Sequence, residues 1–319
     1  MNCGKLLVWQ YSLGAFGIAC AVFFPLSLCA QERRAVPVET SREAGQGFER
    51  AQLDSLELKG FFSREPVTLT GYFGKPREAG SPFPAVVFMH PCDGLVNKNS
   101  GELNRKYVTL ANRLRNAGIA VLMVDSFNPR GVKDICTTRP KARTITESNR
   151  VQDAYGALKY LRERRDVISD KIALVGWGAS GTLEAIDRSN NQLSKVGNRG
   201  FTAAVAFYPH CASFRPYAPT LVLAGEKDTW NPPNACLALA GEQDKEAAFL
   251  QVKIYPDAYH SFDAPAMPLT RRTDVPGVGP VTVGTNPEAR ADAYIRVQVF
   301  LRRHLGIGGT PRTPSETTK

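Results

Sequence analysis

Short, wholly apolar runs recur along this chain, each separated from the next by a stretch of helical spacing. Pro84 introduces Ala85-Val86-Val87-Phe88-Met89; Ile119 to Val124, Ile172 to Val175, Ala203 to Phe207, Leu221 to Ala224 and Val252 to Tyr255 follow. A strand without polar alternation must be covered on both faces. Between the first two runs, Tyr107, Leu110, Ala111 and Leu114 share one helical face, and Gly118 closes it. Before the third, Val151, Ala154, Tyr155, Leu158 and Leu161 do the same, and a last helix is expected over Pro287 to Leu305. Phe48 to Leu58 and Val67 to Tyr72 add strand character ahead of the series. The pattern predicts an α/β fold: a mostly parallel central sheet with helices on both faces. Ligands of such sheets lie beyond the carboxyl ends of the strands, so chemistry is expected in the loops after each run.

The chain has 319 residues, 43% of them apolar, enough for one large α/β domain. Its formal charge is +10, but Lys and Arg are scattered, with only short clusters such as Arg162-Glu163-Arg164-Arg165 and Arg302-Arg303. No nucleic-acid-binding motif accompanies them, so a solvated basic surface is the expectation and nucleic acid is not an expected partner. Residues 1–30 read as a signal peptide: Lys5, an apolar run from Leu6 to Leu28, then Ala30. If retained, a run of this length anchors the chain in a membrane instead. Residues 31–47 read as a flexible leader, 48–306 as the folded domain and 307–319 as a disordered tail. The expected location is exported, periplasmic or secreted. Of seven cysteines, Cys92, Cys136, Cys211 and Cys236 remain beyond residue 30. Four allow three pairings, or none if they are buried thiols, and the sequence does not choose among these.

The strand ends carry a recognisable set of side chains. After Met89 comes His90-Pro91-Cys92-Asp93, and after Val124 comes Asp125-Ser126-Phe127. After Val175 the chain turns through Gly176-Trp177-Gly178-Ala179-Ser180-Gly181. Asp228 follows the run ending at Ala224, and His260 follows the run ending at Tyr255. Ser, Asp, His is the chain order of α/β-hydrolase triads. A serine hydroxyl needs a base to take its proton, and an imidazole near neutral pH serves. A carboxylate holds that imidazole in the right tautomer. His210 follows another strand end without the neighbours that a metal site needs, so it is read as a loop histidine and no metal is expected.

Taken together, these stretches resemble the dienelactone hydrolase family. The resemblance spans about Leu69 to Leu305. It rests on Pro84-Ala85-Val86-Val87 with the His90 loop, Asp125-Ser126-Phe127 with Pro129-Arg130-Gly131, Asp153 to Leu158, and Ile172 to Trp177. Phe207-Tyr208-Pro209, Gly225 to Trp230, and Tyr255-Pro256 with Ala258-Tyr259-His260 and Phe262-Asp263 complete it. It implies an α/β-hydrolase fold and hydrolysis of small esters or lactones by a Ser or Cys nucleophile, without a cofactor. It also implies Asp228 as acid and His260 as base. The turn departs from the family pattern G-x-S-x-G. Ungapped, the nucleophile position falls on Gly178 and the second glycine on Ser180. A shift of two residues makes Ser180 the nucleophile and requires the strand to run two residues further. The N–H groups of Gly181 and Cys92 then form the oxyanion hole, since Pro91 has none to offer. Two functions follow: an exported serine hydrolase of small esters or lactones, or a non-catalytic protein of the same fold that binds a ligand or partner in the cell envelope.

Overall fold

The computed structural model describes residues 47–55, 67–78, 80–190, 199–212, 214–242 and 249–308. The expected signal segment, nearly all of the leader and most of the tail lie outside these residues, as does the end of the first predicted strand beyond Ser55.

Eight strands form one sheet in the order β1-β2-β4-β3-β5-β6-β7-β8. They are β1 (Glu49–Asp54), β2 (Thr68–Gly74), β3 (Phe83–Met89), β4 (Ala120–Asp125), β5 (Val167–Trp177), β6 (Ala204–Phe207), β7 (Thr220–Gly225) and β8 (Leu250–Tyr255). From β4 to β8 every pairing is parallel; β1 and β2 add an antiparallel edge. The apolar runs explain the order. In β3, Val86 lies opposite Val121 of β4 and Ala173 of β5, so the strand is central and needs no polar side. Ala85, Val87 and Met89 enter the core layer on one face, and Val86 and Phe88 the layer on the other.

Five α-helices are described: α1 (Arg105–Asn116), α2 (Glu147–Glu163), α3 (Thr182–Ala185), α4 (Asn234–Glu242) and α5 (Pro287–His304). Helix α2 covers one face of the sheet through Ala154, Tyr155, Leu158 and Leu161. Helices α1 and α5 cover the other, through Tyr107, Leu110 and Leu114, and through Ala293, Val297 and Leu301. Their starts are fixed locally. Asn104 and Asn286 accept backbone N–H groups at the heads of α1 and α5, and Thr146 and Asn149 form a capping box on α2. The last helix ends one residue before its expected end, β5 starts at Val167 rather than Ile172, and Gly118 stands one residue past the Ala117 cap with φ +85°.

A small hairpin, β9 (Thr270–Arg272) and β10 (Val281–Val283), lies between β8 and α5. No apolar run marks it, because each strand is three residues long, β9 is wholly polar and β10 has a threonine at its centre. Val275, Val281 and Val283 pack with Trp230 and Met267 to seat it. Two disulfides, Cys92–Cys136 and Cys211–Cys236, resolve the pairing that the sequence left open. The first joins the loops after β3 and β4, and the second joins the loop after β6 to α4.

Candidate active site

Asp228 stands in the turn after β7. Its Oδ1 accepts from the backbone N–H groups of Trp230 and Asn231, both at 2.8 Å. Its Oδ2 lies 2.8 Å from His260 Nδ1. A carboxylate can only accept, so Nδ1 carries the proton and Nε2 keeps its lone pair. Each hydrogen bond to such a buried charge contributes about 1.5–3 kcal/mol. The imidazole is also gripped by rings: Trp230 stacks on it at 4.6 Å and Tyr208 meets it at 4.4 Å. Gly284 N–H donates to the His260 carbonyl, so the hairpin holds the backbone as well. This half of the site is a base whose tautomer and orientation are both fixed.

The elbow differs. Strand β5 stops at Trp177, and Gly178 follows with φ +54°. That is the turn conformation of a nucleophile elbow, and it falls in the unshifted register. The expectation that Ser180 is the nucleophile is therefore corrected. The strand does not run the two residues that would carry Ser180 to the elbow. Ser180 is 1% exposed, and its hydroxyl is hydrogen-bonded to Thr182 Oγ1 at 2.7 Å. Both hydroxyls lie against Gly176: a Cβ there would fall 2.2 Å from Ser180 Oγ and 1.8 Å from Thr182 Oγ1. Ser180 thus fills the space that the missing side chain of Gly176 leaves. At Gly178 the contrary holds, for an added Cβ would touch only Pro91 Cβ, at 3.4 Å.

Gly181 is also displaced from the role expected of it. It is the N-cap of α3, with φ +76°. The residue next to the elbow position is Ala179, not Gly181. Cys92 keeps its expected place beside Pro91 in the loop after β3. Among the described residues neither the Ala179 nor the Cys92 N–H donates to a protein acceptor. The Cys92 carbonyl accepts from Ile135 at 2.9 Å, and the disulfide to Cys136 ties the same residue a second time.

Behind this loop stands His90, fully buried. Its Nδ1–H donates to Pro91 O at 2.8 Å, while Nε2 accepts from Ser126 N at 3.2 Å and Arg150 Nη1 at 3.0 Å. Burial first, then the Arg150 charge, lowers its pKa well below the ordinary histidine value, so it stays neutral and cannot act as a cation here. Arg150 Nη2 also donates to the His90 carbonyl, and its guanidinium lies 5.0 Å from the Phe127 ring centre. Sequence reading missed Arg150; its signal was one arginine at the edge of an otherwise apolar helical face. Asp263 was likewise missed as an anchor. Its carboxylate accepts from Trp177 Nε1 at 2.7 Å and from the Tyr208 hydroxyl at 2.8 Å. One buried group thereby joins the elbow strand, the end of β6 and the His260 loop.

His210 is an exposed loop residue. A cavity of about 450 Å3 lies on the β2–β4 side, lined by Arg50, Tyr72, Lys98, Asp125 and Lys133 among others, and includes no member of the Asp228–His260 pair.

The sheet order, the elbow after β5 and the acid and base after β7 and β8 define an α/β hydrolase. The sequence profile of the dienelactone hydrolase family matches residues 69–305. The chain belongs to that family. A curated relative, YtaP of Bacillus subtilis (strain 168), a hydrolase by name, is 27% identical over 162 residues, 48% of this chain and 52% of YtaP. The chain thus spans about half the length of that relative. Among solved structures, the apo form of Thermogutta terrifontis esterase 2 superposes with a TM-score of 0.57 at 14% identity, over 83% of this chain and 97% of the other. P91, a dienelactone-hydrolase-like promiscuous phosphotriesterase from metagenomic libraries, gives 0.54 at 19% identity, over 81% and 98%. At these identities the likeness is one of fold.

Proposed function

We propose that this protein hydrolyses small carboxylic esters or lactones in an exported compartment, with His260 as the base and Asp228 as the group that orients it. The observation that carries this reading is the Asp228–His260 contact of 2.8 Å at the carboxyl end of the sheet, with Nε2 left as a free base. A non-catalytic protein has no use for an imidazole held in one tautomer between two rings. Gly178 is the observation that favours the non-catalytic reading, and the intact pair outweighs it. Export is supported by the two disulfides, which persist in oxidising compartments, and by the charged and apolar pattern of residues 1–30.

The test is a panel of activated esters and lactones, including p-nitrophenyl acetate, given to the wild type and to His260→Ala. Loss of a general base costs roughly 100-fold or more, so turnover should fall by at least that factor. Equal turnover in the two proteins removes His260 from the chemistry and ends this reading. Cell fractionation should recover the protein outside the cytoplasm, without free thiols at the four bridged positions; recovery in the cytoplasm counts against export.

A further inference from the structure

We propose that this site hydrolyses its ester in one step, by attack of a water molecule that His260 deprotonates, and forms no acyl-enzyme. The inference rests on the hydrolase reading above and names the nucleophile of the same site.

The first ground is the elbow itself. Gly178 holds the nucleophile position and has no atom to attack with. A Cβ built there meets a single neighbour, Pro91 Cβ, at 3.4 Å, so no protein atom takes the place of the missing side chain. The second ground is what the nearby nucleophiles are doing. Ser180 and Thr182 are bonded to each other against Gly176. Cys92, Cys136, Cys211 and Cys236 are all in disulfides. Ser126 has a buried hydroxyl with no protein partner, but it follows β4, which is separated from β5 by β3, on the side of the elbow away from β7 and β8. The third ground is the state of the base. The proton on Nδ1 is held by Asp228, so Nε2 accepts a proton from whatever hydroxyl is presented to it. With no serine at the elbow, that hydroxyl is water's.

The chemistry balances without any co-reactant. Water gives one proton to His260 Nε2 as its oxygen bonds to the ester carbonyl carbon. The carbonyl electron pair moves onto oxygen, where the Ala179 and Cys92 N–H groups stabilise it. Removing one such donor typically costs about 3 kcal/mol of transition-state stabilisation. The oxyanion then reforms the double bond, the bond to the alkoxy oxygen breaks, and the Nε2 proton passes to the leaving alkoxide. Acid and alcohol depart, and the imidazole is neutral again. A covalent intermediate divides the reaction into two easier steps, so a single-step site is the slower design.

The experiment uses p-nitrophenyl acetate in stopped flow, together with a fluorophosphonate probe read by intact mass. The wild type should show no burst of p-nitrophenol and no adduct. Ser180→Ala should keep turnover within about twofold of wild type. Gly178→Ser should give a burst approaching one equivalent and an adduct at position 178. A wild-type burst, an adduct that maps to Ser180, or a tenfold loss in Ser180→Ala overturns the inference while His260 dependence leaves the hydrolase reading standing. A wild type inert toward every ester and lactone overturns both. If Gly178→Ser does not fold, the burst and probe results on wild type and Ser180→Ala still decide.

Discussion

The two halves of the site have had different fates. On the base side, the groups that orient the imidazole and fix its tautomer are present and doubly held. Asp228 binds two backbone amides and His260, and the ring is clamped by Trp230 and Tyr208. On the elbow side the backbone is intact while the reactive atom is missing. The turn, the left-handed φ at Gly178 and the two backbone amides of Ala179 and Cys92 without a protein acceptor are all there. The difference teaches that backbone geometry and side-chain chemistry are separable in this fold. The strand stops at Trp177, and the turn that follows is fixed by the sheet and by Gly178 N–H donating to Phe207 O. The base, in contrast, is built from side chains and fails if one is altered.

That contrast can be broken most sharply at Asp228. In Asp228→Asn, the two backbone amides on Oδ1 select the carbonyl oxygen for that position. The amide NH2 then faces His260 Nδ1, which must accept and so carry its proton on Nε2. The base is lost without loss of shape, and turnover should fall by roughly 100- to 10,000-fold while the melting curve moves little. Turnover within tenfold of wild type would show that the tautomer does not matter here.

The elbow side should answer in stability first. Cys92 and Cys136 close a separation of 44 residues, and loss of such a bridge costs about 2–4 kcal/mol. Cys136→Ser should lower the urea midpoint accordingly and, by freeing the Cys92 amide, reduce turnover as well. An unchanged midpoint would mean that the His90–Arg150 contacts hold this loop unaided.

The smallest effect is expected at Glu184, in α3 just after the elbow. Burial, then the charge of Glu147, raises its pKa from the usual 4.5 to about 7. The folded chain therefore binds this proton more tightly than the unfolded chain. Stability conferred by the protonated form is full below pH 4.5 and is lost as pH rises through 7. Glu184→Gln should be more stable than wild type at pH 8, by on the order of 1–3 kcal/mol, and equal to it at pH 4. A difference that does not vary with pH would place its cause elsewhere.

The sheet, its helices and the acid and base were legible because each leaves a signature in the chain. Doubly buried strands are wholly apolar, caps are Asn and Thr, and Asp228 and His260 stand directly after apolar runs. The register of the elbow was not legible. Gly178-Ala179-Ser180-Gly181 permits a turn at either residue, and the choice depends on where β5 stops and on how closely Gly176 is approached, both tertiary facts. The hairpin β9–β10 was hidden because three-residue strands have no period to detect. Arg150 and Asp263 were hidden because a lone buried charge is recognised by its partners, and those lie 60 and 86 residues away in His90 and Trp177.

Asp263 has a consequence for how such a chain can drift. One carboxylate holds the indole of the strand that ends at the elbow and the phenol that rests on the histidine. The frame on both sides is thus maintained by a group that takes no part in the attack. The hydrogen bonds of that frame run through Trp177, Tyr208 and Asp263, and none of them needs a side chain at position 178. The ancestry of a site like this one is written in its fasteners more durably than in its reactive atoms.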